Sequence, residues 1–290
     1  MAQQVIIGIF VLLAIAYYSY WYRQIRVRKD IDVPAAAVRR TDLLYGYYGT
    51  MDDQVAKTLG QINLLWECQF QGMDKAIANI LEARLPTVLD LAPQTMFRAR
   101  QSGRCFDFNP DAENNLRYLF TRLREAGALH YVHYLYPMDE PNTNVSSAAD
   151  LQKAIDATRK VAAEFPELDG YKLSVIYAAK PETYDCIGAF DVVGVDDYDE
   201  KSQIFINGTY ANLMYKKRPD ATVMLLPGGA FGQDPTPFEN WAHTHPEVSM
   251  IIPFVWFGGR EAADKWVGIG DDKNPLKQRY EIFGKSISAK

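Results

Sequence analysis

The 290-residue chain is predicted to be α/β, a single (β/α)8 TIM barrel preceded by an N-terminal transmembrane helix. Three observations carry that expectation. From residue 43 onward, short runs rich in β-branched and aromatic residues alternate with amphipathic stretches, the pattern of a parallel sheet wound with helices. The runs number eight within residues 43–290, and a barrel of eight strand-helix units typically takes about 250 residues. No Gly-rich phosphate loop follows the first run, which argues against an open dinucleotide-binding sheet.

Residues 5–22, VIIGIFVLLAIAYYSYWY, carry no charge and approach the roughly 20 residues that cross a bilayer as a helix. Tyr17, Tyr18, Tyr20, Trp21 and Tyr22 form an aromatic belt at the exit, followed by Arg23, Arg26, Arg28 and Lys29. A cleaved leader wants basic residues before the apolar run and small ones after it, and this segment has the reverse. Residues 1–29 are therefore predicted to be an uncleaved anchor with a basic flank, 30–42 a linker and 43–290 the barrel. The positive-inside rule puts the barrel on the cytoplasmic side, whereas an extracellular glycan would need it outside; the side of the membrane is left open.

The expected strands are 43–49, 62–68, 87–91, 131–137, 172–178, 192–195, 222–226 and 251–257, each a short apolar run dense in Val, Ile, Leu, Tyr or Phe. Helices are expected at 73–84, 113–126, 148–164 and 275–288; in the third, Leu151, Ile155, Thr158 and Ala162 fall on one face. The longest connection, 92–111, holds Arg98, Arg100 and Arg104, which are either solvated or available to an anionic ligand.

Composition narrows function. Hydrophobic residues make up 48% of the chain, enough for a core, and the net charge of −5 excludes a basic nucleic-acid surface, more so because the basic residues of the first 30 positions mask a still more acidic barrel. Cys68, Cys105 and Cys186 have no CxxC pairing, and His243-Thr-His245 lacks an evident third ligand, so neither metal nor cofactor is expected.

Catalytic residues of such barrels sit at the carboxyl ends of the strands. There the predicted strands deliver Tyr48 from the first, Glu67 from the second, Asp90 from the third, Tyr136, Asp139 and Glu140 from the fourth, Tyr177 from the fifth, Asp196, Asp197 and Tyr198 from the sixth and Trp256 from the eighth. Strands deplete Asp and Glu, and a carboxylate is costly to bury unpaired, so acids gathered at strand ends point to a site. Carboxylates that hold hydroxyls and move protons, ringed by aromatic faces on which sugars stack, suit a carbohydrate.

Residues 43–288 resemble the β/α-barrel glycoside hydrolases. Tyr136-Pro-Met-Asp-Glu-Pro141 is similar to their acid/base strand, which often ends Asn-Glu-Pro; Asp191-Val-Val-Gly-Val-Asp-Asp-Tyr198 is similar to their sixth strand, and Ile252-Pro-Phe-Val-Trp-Phe257 to their eighth. The chain departs from the retaining Asn-Glu-Pro group at strand seven, where Thr222-Val-Met-Leu-Leu-Pro-Gly-Gly-Ala230 has no nucleophilic Glu. The adjacent Asp-Glu resembles instead the substrate-assisted N-acetylhexosaminidases, including glycoside hydrolase family 123. That resemblance implies Glu140 as proton donor, Asp139 as orienter of a 2-acetamido group and Tyr198 as donor to its oxygen. A conventional alternative pairs Glu140 with Asp196 or Asp197. The implied activity is a membrane-anchored glycosidase acting on a polysaccharide or amino-sugar polymer; the other reading is a degenerate barrel that binds carbohydrate or serves a structural role in a membrane or virion.

Overall fold

The computed structural model describes residues 40, 42–50, 54–69, 72–91, 96–99, 106–145, 147–179, 183–198, 201–257 and 267–289. The expected anchor, together with Arg100, Arg104 and Cys105, lies outside them, and among the described residues no helix is long and apolar enough to cross a membrane.

Among the described residues ten strands form: β1 (Leu44–Tyr45), β2 (Leu65–Glu67), β3 (Thr87–Asp90), β4 (Phe97–Ala99), β5 (Phe106–Phe108), β6 (Val132–Tyr136), β7 (Lys172–Tyr177), β8 (Val192–Val195), β9 (Thr222–Leu225) and β10 (Val248–Ile251). Eight of them build one parallel sheet in the order β1-β10-β9-β8-β7-β6-β3-β2. The two ends of that order meet. The Tyr45 carbonyl accepts the N–H groups of Asn63 and Leu64 at 3.0 and 3.2 Å, and Tyr45 N–H donates to Asn63 Oδ1 at 2.6 Å. Gly46 permits this approach, since a Cβ there would stand 2.5 Å from the Leu64 carbonyl oxygen. A sheet closed this way has no exposed edge.

Alternation along the strands sorts the core into two layers. Trp66, Val88, Tyr134, Tyr136, Ile176 and Met224 pack together inside the barrel. Their neighbours Leu65, Leu89, Leu135, Val175 and Leu225 face outward, against Leu116, Ile155 and Phe238 of the surrounding helices. Each fully buried aliphatic side chain contributes roughly 1.5–3 kcal/mol.

The helices Met73–Ala83, Ala112–Glu125, Ala148–Ala162 and Lys277–Ser288 fall where the apolar periodicity puts them. Ser147 caps the third by accepting Asp150 N–H at 3.1 Å. Two features differ from expectation. The connection 92–111 contains an antiparallel hairpin of β4 and β5, and Arg98 there is engaged by Asn109 and Asp111 at 2.7 Å each. The eighth barrel strand is Val248–Ile251 and not 251–257, because Pro253 has no N–H to give a ladder. Arg40 already belongs to the folded part: its guanidinium donates to the carbonyls of Ala242, His245 and Pro246.

Candidate active site

The site is built around the end of β6. Pro137 follows the strand, Asp139 bridges to Ile176 of β7, and Glu140 N–H donates to the Ile176 carbonyl at 3.1 Å. Glu140 takes a left-handed conformation, φ 44°, uncommon outside Gly and Asn and costing of order 1 kcal/mol or more. The turn Pro141–Asn144 holds it there: Thr143 and Asn144 N–H both donate to the Glu140 carbonyl at 2.9 Å, and Thr143 Oγ1 reaches Glu140 Oε2 at 3.2 Å. Asn144 Nδ2 donates to the Asp139 carbonyl at 2.9 Å. Two adjacent carboxyls are thereby aimed in different directions.

Asp139 accepts the Tyr136 hydroxyl on Oδ1 at 2.5 Å and stands beside Tyr48. Burial pushes its carboxyl up to about 6, with the charge of Glu140 adding to the rise and the two tyrosines opposing it. Asp196, one residue past β8 and buried, stands beside Glu140 and Tyr198. Burial first, then the negative charges of Glu140 and Asp139, hold Asp196 well above the ordinary carboxylate range. Asp90, buried at the end of β3, adds its charge beneath Tyr48, Tyr136 and Cys68.

Tyr48, Asp90, Tyr136, Asp139, Glu140, Asp196 and Tyr198 are thus brought together. Four other expected residues sit elsewhere, three of them through strand parity. Glu67 follows inward-facing Trp66 and so turns to the helix layer, accepting Asn79 Nδ2 at 2.9 Å and Gln69 N–H at 2.8 Å. Tyr177 follows inward-facing Ile176; its hydroxyl donates to the Asp185 carbonyl at 2.5 Å and its ring packs on Tyr184. Asp197 is one step out of phase with Asp196, and Gln233 Nε2 donates to its carbonyl at 2.7 Å. Trp256, expected to floor a sugar site, is buried in the outer layer, 4.5 Å from the Tyr47 ring and packed against Gly270.

The aromatic surface at the site is a different one. Tyr198 stacks on Phe254 and on Phe231, both at 4.9 Å, with interplanar angles of 23° and 16°. Sequence reasoning passed over Phe231 and Phe254. The signal for Phe231 was the turn-forming run Pro227-Gly-Gly-Ala-Phe-Gly-Gln233 at the end of a barrel strand, and for Phe254 its place two residues before Trp256.

No family model and no curated protein sequence matches the chain. Solved structures do. Gas2p of Saccharomyces cerevisiae aligns with a TM-score of 0.60 at 9% identity, over 83% of this chain and 60% of that one. An FMN-binding beta-glucuronidase from Facaelibacterium prausnitzii aligns at 0.56 and 11%, over 86% and 44%. A glycoside hydrolase family 113 beta-1,4-mannanase aligns at 0.51 and 11%, over 84% and 98%. The chain spans less than half the length of the beta-glucuronidase and nearly all of the mannanase. At these identities the likeness is one of fold, a TIM barrel.

Proposed function

We propose that the protein is a glycoside hydrolase anchored in a membrane by residues 5–22, acting on an amino-sugar-containing glycan with Glu140 as general acid. The observation that carries the reading is a buried, proton-retaining Asp196 beside Glu140, with Asp139 held separately by Tyr136. Asp196 with its proton retained cannot serve as the general base that activates water in an inverting enzyme. An Asp196 that retains its proton at neutral pH is also a poor nucleophile for a covalent intermediate. Asp139 has the opposite state: pushed only to about 6, it is mostly ionised at neutral pH and able to accept an N–H.

That division of states suits substrate assistance. In this reading Glu140 gives its proton to the leaving glycosidic oxygen, and the protonated Asp196 beside it can return one. The carbonyl oxygen of the sugar's own 2-acetamido group attacks the anomeric carbon, with Asp139 holding its N–H. Water then opens the cyclic intermediate with retention. The decisive experiment is hydrolysis of 4-methylumbelliferyl N-acetyl-β-glucosaminide and N-acetyl-β-galactosaminide beside the matching plain hexosides, with and without a thiazoline analogue. Turnover confined to the N-acetylated substrates and blocked by the thiazoline supports the mechanism; turnover of plain hexosides alone rejects it.

One observation favours a second reading. The segment after β9, Leu226-Pro-Gly-Gly-Ala230, supplies no carboxyl to the site, as a barrel that had lost a nucleophile and kept carbohydrate binding would show. Glycan binding without turnover on any substrate would select it.

A further inference from the structure

Beside the carboxyl cluster lies a cavity of about 430 Å³ lined by Tyr198, Lys201, Ser202, Phe231, Gln233 and Asp234. We propose that it is a second sugar subsite, with Phe231 as the stacking platform for a pyranose ring of the same glycan chain.

The proposal rests on the reading of the site as a glycan site, and four observations lead to it. The volume lies within the roughly 300–1,000 Å³ of small-molecule sites. Phe231 is 45% exposed and lines the cavity, so its ring is accessible to a ligand there. The turn that presents it is rigidly braced: Gln233, itself buried, accepts Gly228 N–H through Oε1 at 2.7 Å and donates through Nε2 to the Asp197 carbonyl at 2.7 Å, while Tyr280 donates to the Gln233 carbonyl at 2.7 Å. Ala230 N–H donates to the Phe254 carbonyl at 3.0 Å and Phe254 N–H to the Pro227 carbonyl at 2.9 Å. A purely connecting loop has no need of such bracing around an exposed ring.

The fourth observation is continuity. Tyr198 is shared: its ring lines the cavity and stacks on Phe231, and it stands beside Asp196 of the carboxyl cluster. A glycan whose scissile bond lies at Glu140 therefore continues over Tyr198 onto Phe231. Gly228 makes this possible, because a Cβ there would stand 2.6 Å from the Tyr198 ring. At the edge of the platform, Lys201 and Asp234 supply polar groups, and Asp234 is fixed by Arg279 at 2.7 Å. An apolar ring face below and donors and acceptors at the edge are what a pyranose offers and needs, since its C–H groups form one face and its hydroxyls the rim.

The test is saturation-transfer NMR on the full-length protein in detergent micelles, with methyl β-D-glucopyranoside and methyl N-acetyl-β-D-glucosaminide as probes. Stacking transfers saturation preferentially to H1, H3 and H5, which share one face of the ring. The expected result is that pattern with at least one probe, its persistence in Glu140→Gln, and its loss in Phe231→Ala with affinity about 2–10-fold weaker, the value of one aromatic contact. Phe231→Tyr should restore it. Absence of the pattern in the unmodified protein, or its survival in Phe231→Ala, overturns the subsite. Because binding is read without turnover, a missing hydrolytic activity removes the mechanism above and leaves this result standing.

Discussion

At the scale of the residue, the site is a problem of keeping several carboxyls close without mutual repulsion. The answer is a different environment for each: tyrosine hydroxyls for Asp139, and for Asp196 a burial that favours its protonated form beside Glu140. Glu140→Gln preserves shape and removes the transferable proton, so hydrolysis of a substrate with a poor leaving group should fall about 10²–10⁴-fold while binding persists. Asp139→Asn should reduce turnover of N-acetylated substrates more than any turnover of plain hexosides; equal losses, or none, in a side-by-side kinetic assay would assign Asp139 to structure alone. Stability carries a signature too. Because the folded protein binds the Asp139 proton more tightly than the unfolded chain, its contribution is fully present below the ordinary value of 3.8 and is lost as pH rises through about 6. Melting temperatures across pH 4–7 should therefore decline more for the unmodified protein than for Asp139→Asn, and parallel curves would contradict the raised value. Residue type was legible in the sequence here, since acids at strand ends are hard to explain otherwise. The pairing of Asp196 with Glu140 was not, because it depends on the left-handed turn at Glu140, which no local pattern announces.

At the scale of the element, direction is decided by one residue of register. The strand ends at Glu67 and Tyr177 were close to the expected places, within one to two residues, yet their side chains face the helices because Trp66 and Ile176 fill the interior. Hydrophobic runs buried on both faces carry no alternation from which to read that parity. The eighth strand shows the same limit: ending at Ile251, it leaves Phe254 at the site and takes Trp256 into the outer layer. Sheet closure offers a test of packing. Gly284 in the helix Lys277–Ser288 lies against β1, and a Cβ there would stand 2.4 Å from the Gln61 carbonyl oxygen and 2.7 Å from the Tyr45 ring. Gly284→Ala gains about 1 kcal/mol of helix propensity, but the obstacle is backbone and cannot rotate away, so overpacking of about 1–3 kcal/mol should win. A fall in melting temperature of about 2–4 °C per kcal/mol lost is expected, against no change for Gly188→Ala, which has open space. Equal melting temperatures for the two variants would mean that the helix shifts freely on the sheet.

At the scale of the whole molecule, the barrel was legible because its signal is distributed: eight apolar runs and the helices between them survive errors of a few residues at any one. The hairpin of β4 and β5 escaped notice because its short strands alternate too briefly within a long connection. What the barrel's position in the cell would be is carried by the segment before it, which has its own physics. Eighteen successive uncharged residues, 5–22, end in aromatic side chains and a cluster of Arg and Lys, and this arrangement favours a bilayer core with its rim at the headgroups. The first described contacts of the compact unit that contains the sheet are those of Arg40, and the barrel is expected to fold without that segment. The two properties should therefore separate. In a detergent phase-partition experiment the full-length protein should follow the detergent, while a chain beginning at Val33 should remain in the aqueous phase with the melting temperature and sugar binding of the full-length protein. Full-length protein recovered from the aqueous phase without detergent would dismiss the anchor, and a chain from Val33 that aggregates or melts early would mean that the barrel draws part of its stability from the residues removed.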